Sequence, residues 1–334
     1  MPDRPKSLFL LSQDSLNKIY STHSQARIAE LTQLEPTVLH YETWQNATDR
    51  LKDIEYIFSG WGMAYMDDAF LDAVPNLKYI FYGSGTIRSF YSEAAQERGI
   101  RISSAWRANA VPTAEYAHAL IILSLKKFFR ATRTTQANRS WQLPADAAGI
   151  YKSTVGIVSL GTVGQLVAKH LRDQHNLNVI AYDPFASNQT ASKLGLKLVS
   201  LQELFKTADV VSLHAPDLPA TEEMITEQLL RSMKANATLI NTARGGLINE
   251  TSFTQVFEER SDLDAVVDVT QNEPKNADCP LWKLSNVIIS PHIAGSLNQE
   301  CQRMGEYMVD ELERHLAGQP MQHEVTPEVF LTMA

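Results

Sequence analysis

Val155-Gly156-Ile157-Val158-Ser159-Leu160-Gly161-Thr162-Val163-Gly164 is the stretch whose reading decides the fold. Its first four residues are apolar without polar alternation, as in a strand covered on both faces. The chain then turns through residues 159–161 and enters a helix-length segment, residues 163–172. This matches the dinucleotide fingerprint G-x-G-x-x-G, with Ser159 standing where the first glycine belongs. In such a loop Gly161 lets the backbone approach a pyrophosphate, and Gly164 permits close packing of helix on strand. Thr162 and Val163 open the helix, whose unpaired N–H groups and positive dipole end would face the phosphates. Ser159 must make the turn without glycine's freedom, which implies a modest strain. Nineteen positions after Gly164, at the end of the strand-like run 178–182, stands Asp183. An acidic residue there would bond ribose hydroxyls and repel a 2′-phosphate, so the expected cofactor is NAD, with NADH preferred over NADPH.

Outward from this stretch, strand-like runs recur at 154–159, 178–182, 209–213, 238–241, 264–269 and 286–290. Helix-length segments such as 163–172 and 249–259 separate most of them, which predicts a doubly wound parallel sheet of the Rossmann type. The first hundred residues repeat the alternation more weakly, with strand candidates at 7–11, 37–40, 54–58, 77–81 and 100–103. They predict a smaller, flavodoxin-like α/β domain. A helix over 113–130 has Pro112 near its start, Glu115 in its first turn and Lys126, Lys127 and Arg130 in its last. These charges suit the helix dipole. Its apolar face (Ala114, Ala117, Leu120, Ile121, Leu125, Phe128) reads equally as an interdomain or subunit contact and as a core face. A last helix over 297–316 opens with Ser296 and Gln299 spaced as a capping box, and would return the chain to the first domain. The expected division is a substrate domain over 1–107, a dinucleotide domain over 108–295, and a C-terminal segment over 296–334 that rejoins the first.

Three short stretches each follow a strand-like run: Asn241-Thr242-Ala243-Arg244-Gly245, then Asp268 with Asn272-Glu273-Pro274, and Pro291-His292-Ile293-Ala294-Gly295. An arginine, a carboxylate and an imidazole would thus converge at the carboxyl edge of one sheet, where open α/β sheets bind ligands. Arginine grips a carboxylate and polarises the adjacent ketone, and histidine moves a proton near neutral pH. Glu273 beside the imidazole would orient and tune it. That combination suits reduction of a 2-oxo acid or oxidation of a 2-hydroxy acid.

The chain has 334 residues, enough for two domains, with 44% hydrophobic and 20% charged residues. Its net charge of -8 gives no electrostatic reason to bind nucleic acid. No apolar run approaches the length of a membrane helix, and the N-terminus lacks the pattern of a secretory signal. Cys279 and Cys301 are the only cysteines, so no disulfide framework is expected and a cytoplasmic location is. No His-x-x-x-His or Cys-x-x-Cys pattern occurs, so no metal site is expected.

From about Trp141 to Gly295 the text resembles the D-isomer-specific 2-hydroxyacid dehydrogenases. The resemblance rests on Val155-Gly156-Ile157-Val158, Tyr182-Asp183-Pro184, Ala208-Asp209-Val210-Val211-Ser212-Leu213-His214-Ala215-Pro216, and the Asn241, Asp268, Glu273 and His292 segments. Pro75-Asn76-Leu77-Lys78 and Ala114-Glu115 extend it faintly toward the N-terminus. It implies that Arg244, Glu273 and His292 are catalytic. It also implies that Thr162, Val163, Asp183, His214, Thr242, Ala243, Arg244, Asp268, His292, Ala294 and Gly295 contact the cofactor, alongside Gly161 and Gly164. Ser84 and Gly85, within Gly83-Ser84-Gly85, fall where backbone N–H groups meet a substrate carboxylate, together with Arg244 and His292. The resemblance further implies a homodimer of the short form, without an appended regulatory domain. Departures are Ser159, Thr162 where arginine or histidine is common, and the segment Thr86-Ile87-Arg88-Ser89-Phe90. Trp61 with Gly62, and Arg88 with Arg107, are candidates for the substrate mouth, and read equally as packing and surface residues. Two rival functions share the scaffold: a formate-dehydrogenase-like enzyme, and a nucleotide-sensing protein of the corepressor kind.

Overall fold

The computed structural model describes residues 4–333. The first sheet comprises β1 (Lys6–Leu10), β2 (Gln33–Leu34), β3 (Tyr56–Ser59), β4 (Tyr79–Tyr82) and β5 (Arg101–Ser104). They are parallel in the order β2-β1-β3-β4-β5, the flavodoxin-like arrangement. The second comprises β6 (Thr154–Val158), β7 (Asn178–Tyr182), β8 (Lys197–Leu198), β9 (Val210–Leu213), β10 (Thr238–Asn241), β11 (Asp264–Val267) and β12 (Val287–Ile289). Its parallel order is β12-β11-β10-β9-β6-β7-β8. Counted from β6 this is the Rossmann order with a seventh strand added at one edge. Every residue of β9, β10 and β11 is buried, as strands with both faces covered must be.

The chain divides into two compact units. One runs to Ala110 and resumes at Ser296; the other is Val111–Gly295. In the second unit the strand order reverses between β6 and β9, which opens a crevice at their carboxyl ends. Among the described residues no helix is long and apolar enough to cross a membrane.

Four expectations are corrected. The strand expected at 37–40 forms instead at β2, pairing with Lys6 and Ser7, and Leu39 makes only an isolated bridge to Leu10. Pro36 lies between the two pieces and has no N–H to continue the ladder. The short edge strand β8 was not anticipated. The helix expected over 113–130 begins earlier and ends earlier, at Trp106–Leu125, with Pro112 inside it. Lys127 then takes a left-handed φ of 54° before a second helix, Phe128–Asn138.

The cause of that break lies far along the chain. Lys127 is 4% exposed and its Nζ lies 2.8 Å from Asp264 Oδ2, while Arg130 Nη2 lies 2.9 Å from Oδ1. The basic residues therefore neutralise a carboxylate at the start of β11 rather than a helix end. Ala114, Ala117, Leu120, Ile121 and Leu125 join Val155, Ile157, Val167 and Leu171 in the core of the second unit, whereas Phe128 is exposed.

The capping box is also absent. The last long helix is Gln299–Leu316, capped by Asn298 at a φ of 47° without a side-chain bond. The Glu300 carboxylate accepts the Leu297 N–H at 2.9 Å, and Ser296 Oγ has no partner. Further along this helix the fully buried Glu311 accepts Ser103 Oγ at 2.8 Å and the N–H groups of Gln322 and His323. This ties the C-terminal segment to β5.

Candidate active site

The glycine loop after β6 behaves as its residues require. Ser159 adopts a φ of 76°, the left-handed turn for which glycine is favoured. Gly161 caps the Thr162–Gln174 helix with no side-chain bond, and a Cβ added there would meet nothing nearer than Ser159 Oγ at 4.0 Å. Its outer face is open. A Cβ on Gly164 would lie 2.1 Å from the Ser159 carbonyl oxygen, so this glycine is obligatory for helix-on-loop packing. Asp183 braces the same loop. Its Oδ2 accepts Leu160 N at 2.7 Å, and its Oδ1 accepts Phe185 N and Ala186 N at 2.8 Å each.

Across the switch point, His214 follows β9. Its ring is buried, its Nε2 lies 3.0 Å from Ser212 Oγ, and its Nδ1 has no partner. Burial pushes its pKa down to about 4.

After β10, Asn241 staples the next loop at both ends. Its Oδ1 accepts Ala243 N at 3.1 Å and its Nδ2 donates to Arg244 O at 2.9 Å. Thr242 is buried with Oγ1 unpartnered. Arg244 donates from Nη1 to Ala243 O at 2.7 Å. Burial lowers its guanidinium pKa, and the charges of Asp217 and Glu273 oppose that effect. A Cβ on Gly245 would lie 2.1 Å from the Thr270 carbonyl carbon, so only glycine lets this loop close onto the turn after β11.

That turn carries Glu273. Its Oε1 accepts Thr270 N at 2.7 Å and its Oε2 accepts His292 Nδ1–H at 2.7 Å. A carboxylate can only accept, so Nδ1 is the protonated nitrogen and the neutral ring keeps its lone pair on Nε2. The His292 side chain is 56% exposed and its backbone is held at a φ of 54°.

The loop bearing His292 is wrapped around Asp268, which is 2% exposed. Asp268 Oδ1 accepts Ser290 Oγ at 2.5 Å and Ile293 N at 3.0 Å, and Oδ2 accepts Ala294 N at 2.7 Å. Its carbonyl accepts His292 N at 3.0 Å. Tyr116 Oη donates to Ser290 Oγ, extending the chain of bonds. Gly295 closes the loop and ends the second unit.

The second unit thus brings together Arg244, Glu273, His292, Asp268, Thr242, Ala243, Ala294, His214, Asp183 and the glycine loop at the carboxyl ends of its strands. Asn241, Ser290 and Tyr116 were missed as site residues. Asn241 alone carried a sequence signal, because asparagine readily bonds backbone two residues on.

Ser84 and Gly85 lie in the other unit, after β4. Ser84 is buried, and Ser104 Oγ donates to the carbonyls of both residues. A Cβ on Gly85 would meet only Asn109 Nδ2, at 3.9 Å. Arg88 packs against the C-terminal segment. It donates to the carbonyls of Phe330 and Met333 and lies 4.7 Å from the centre of the Phe330 ring. Arg107 is exposed over the Trp106 ring, and Trp61 is 43% exposed beside Gly62 at a φ of 102°. Among the described residues no three metal-ligating side chains converge on one point.

These features fit a dinucleotide. The open Gly161 and the uncapped helix N-terminus suit phosphates, and two of the buried polar atoms without partners, His214 Nδ1 and Thr242 Oγ1, follow the neighbouring strands β9 and β10 at the same sheet edge.

Residues 118–294 match the family "D-isomer specific 2-hydroxyacid dehydrogenase, NAD binding domain". The chain is 31% identical over 260 residues to D-3-phosphoglycerate dehydrogenase of Archaeoglobus fulgidus, covering 78% of this chain and 49% of that protein. It is 29% identical to glyoxylate reductase of Korarchaeum cryptofilum, covering 79% of this chain and 80% of that one. In fold it is similar to D-mandelate dehydrogenase of Rhodotorula graminis, with a TM-score of 0.82 over 97% of this chain and 98% of the other at 21% identity. The chain spans about half the length of the phosphoglycerate dehydrogenases it matches. The chain belongs to the D-isomer-specific 2-hydroxyacid dehydrogenase family, and its second unit is a domain for a nicotinamide cofactor.

The buried His214 makes stability depend on pH. Its pKa is depressed in the folded state, so the unfolded chain takes up a proton first as pH falls. Its contribution is complete above about pH 6.5 and declines toward pH 4, by roughly 3 kcal/mol over that window. Urea unfolding between pH 7.5 and 4 should show a steeper loss for the native chain than for His214→Asn. Superimposable profiles would refute this.

Proposed function

We propose that the chain is a NAD-dependent oxidoreductase interconverting a small 2-oxo acid and the corresponding D-2-hydroxy acid. The observation that carries this is the 2.7 Å pair between Glu273 and His292, whose exposed ring keeps an available Nε2, beside the half-buried guanidinium of Arg244. Arg244 binds the carboxylate and polarises the ketone oxygen, stabilising the alkoxide that develops there. His292, protonated, delivers a proton from Nε2 to that oxygen; in the oxidative direction its neutral form removes the proton. Glu273 holds the ring by Nδ1 and stabilises the imidazolium. The bound nicotinamide supplies or accepts the hydride. Gly161, Thr162, Val163, Gly164, Asp183, His214, Thr242, Ala243, Asp268, Ala294 and Gly295 would hold the dinucleotide, and Gly85, beside Ser84, would offer its N–H to the substrate, the Ser84 N–H being engaged by the Tyr82 carbonyl. The Glu273–His292 pair disfavours the formate-dehydrogenase-like reading, because hydride removal from formate needs no proton donor to a carbonyl.

NADH oxidation against glyoxylate, pyruvate, hydroxypyruvate and bulkier 2-oxo acids should reveal at least one substrate. His292→Ala should lower kcat on it by about 10²–10⁴-fold. Full turnover by the variant would overturn the mechanism. NADH binding with a flat response across the whole panel would favour the nucleotide sensor instead.

Asp183 supports NAD over NADP. The Leu160 N–H of the glycine loop and the Phe185 and Ala186 N–H groups of its own turn fix its carboxylate, and its negative charge would face a 2′-phosphate. The native chain should favour NADH over NADPH in kcat/KM by tenfold or more, roughly the effect of 1.4 kcal/mol, and Asp183→Ser should narrow the ratio. A native preference for NADPH would refute this assignment.

A homodimer is supported by the apolar side chains that the second unit leaves in solvent: Trp141 is 98% exposed, Leu143 94% and Tyr151 69%. A second copy would cover them. Sedimentation velocity should give a dimer, and a Trp141→Ser, Leu143→Ser double variant should shift it toward monomer. A monomeric native chain would rule the dimer out.

A further inference from the structure

Three histidines outside the site meet on the second unit. His118 lies on the Trp106–Leu125 helix, His170 on the Thr162–Gln174 helix, and His175 forms the C-cap of the latter. All three are partly exposed. His118 Nε2 lies 3.1 Å from His175 Nε2, and the two rings are 5.2 Å apart at 37°. The His170 ring stacks on His118 at 5.6 Å and 24°.

We propose that His118 and His175 bind one transition-metal ion of the Zn²⁺, Ni²⁺ or Cu²⁺ class through their Nε2 atoms, with water completing the coordination and the His170 ring stacked against His118. Two metal–nitrogen bonds of about 2.0–2.1 Å at a tetrahedral angle separate the nitrogens by about 3.4 Å. The rings need to part by only a few tenths of an ångström to admit the ion. Neutral imidazole is the ligand that selects Zn²⁺, Ni²⁺ and Cu²⁺ over Mg²⁺ and Ca²⁺.

All three rings are only partly buried, so an ion from solvent can reach the pair. The adjacent cation Arg172 is held by Asp173 at 2.6 Å and by the Lys193 carbonyl. Without an ion, one Nε2 must donate to the other, which forces the two rings into opposite tautomers. With an ion, both rings carry their proton on Nδ1 and both lone pairs are used. The ion would clamp the C-terminal end of the helix whose N-terminus forms the dinucleotide loop. No local spacing announces the site, because the ligands lie 57 residues apart.

The test is calorimetric titration of the untagged, metal-stripped full chain with ZnCl₂ and NiCl₂, with MgCl₂ as the control. One ion per chain should bind with a micromolar dissociation constant, and Mg²⁺ should give no heat. His118→Gln and His175→Gln should each weaken binding tenfold or more, and His170→Gln less. With Cu²⁺, electron paramagnetic resonance should show at least two coordinated nitrogens, reduced in either variant. No binding by the native chain, or undiminished binding in both His118→Gln and His175→Gln, would overturn the proposal. Circular dichroism of each variant separates ligand loss from misfolding.

Discussion

A single buried carboxylate organises the site. Among the described residues no cation pairs with Asp268; its carboxylate is held by hydroxyl and backbone donors, namely Ser290 Oγ and the N–H groups of Ile293 and Ala294. Such a group is costly to bury unless its lone pairs are filled. The backbone of residues 290–294 must therefore curl around it, and this curl puts His292 at a positive φ with its ring outward. The imidazole is exposed because the loop beneath it is rigidly occupied. Removing Asp268's donors would leave an uncompensated charge at the end of β11, so the constraint runs both ways.

Close backbone approach is the second constraint. Two glycines mark the closest approaches, one where the glycine loop folds onto its own helix and one where the Arg244 loop meets the turn that carries Glu273. Gly164 lies against the Ser159 carbonyl and Gly245 against the Thr270 carbonyl. A methyl group at either point would overlap backbone, which cannot move aside as a side-chain end can. Gly161 shows the opposite condition, with empty space where its side chain would be. The chemistry of a phosphate site explains that vacancy, while packing explains the other two.

Most of the second unit was legible because its signals are local. Runs such as Val210–Leu213 carry the burial of a central strand in their composition, and the turn after each has its own residue pattern. Glu273 and His292 could be paired from chemistry alone, since each has few other partners with which to act. What escaped depended on partners far along the chain. The helix break at Lys127 follows from Asp264, 137 residues away, which draws the ammonium into the interior. Arg88 turned toward Phe330 and Met333, more than 240 residues on, where a local reading left a substrate mouth and a packing role equally open. The capping geometry at Asn298 chose Glu300 over Gln299, because a carboxylate accepts an N–H more strongly than an amide does.

The same reasoning separates rigidity from reactivity within the site. Glu273 is held at both oxygens, one by the backbone of Thr270 and one by His292, which fixes its orientation. Arg244 makes one hydrogen bond, to its neighbour's carbonyl, and among the described residues no other acceptor meets its planar donor fork. A guanidinium mostly withdrawn from water with donors to spare is poised for a bidentate anion, and a carboxylate fits that fork better than a point acceptor does. The fixed pair supplies orientation to the proton donor, and the unsatisfied arginine supplies the attraction. A substrate with a carboxylate next to a carbonyl meets both demands at once, which is why these three residues argue for one reaction class more strongly together than any of them does alone.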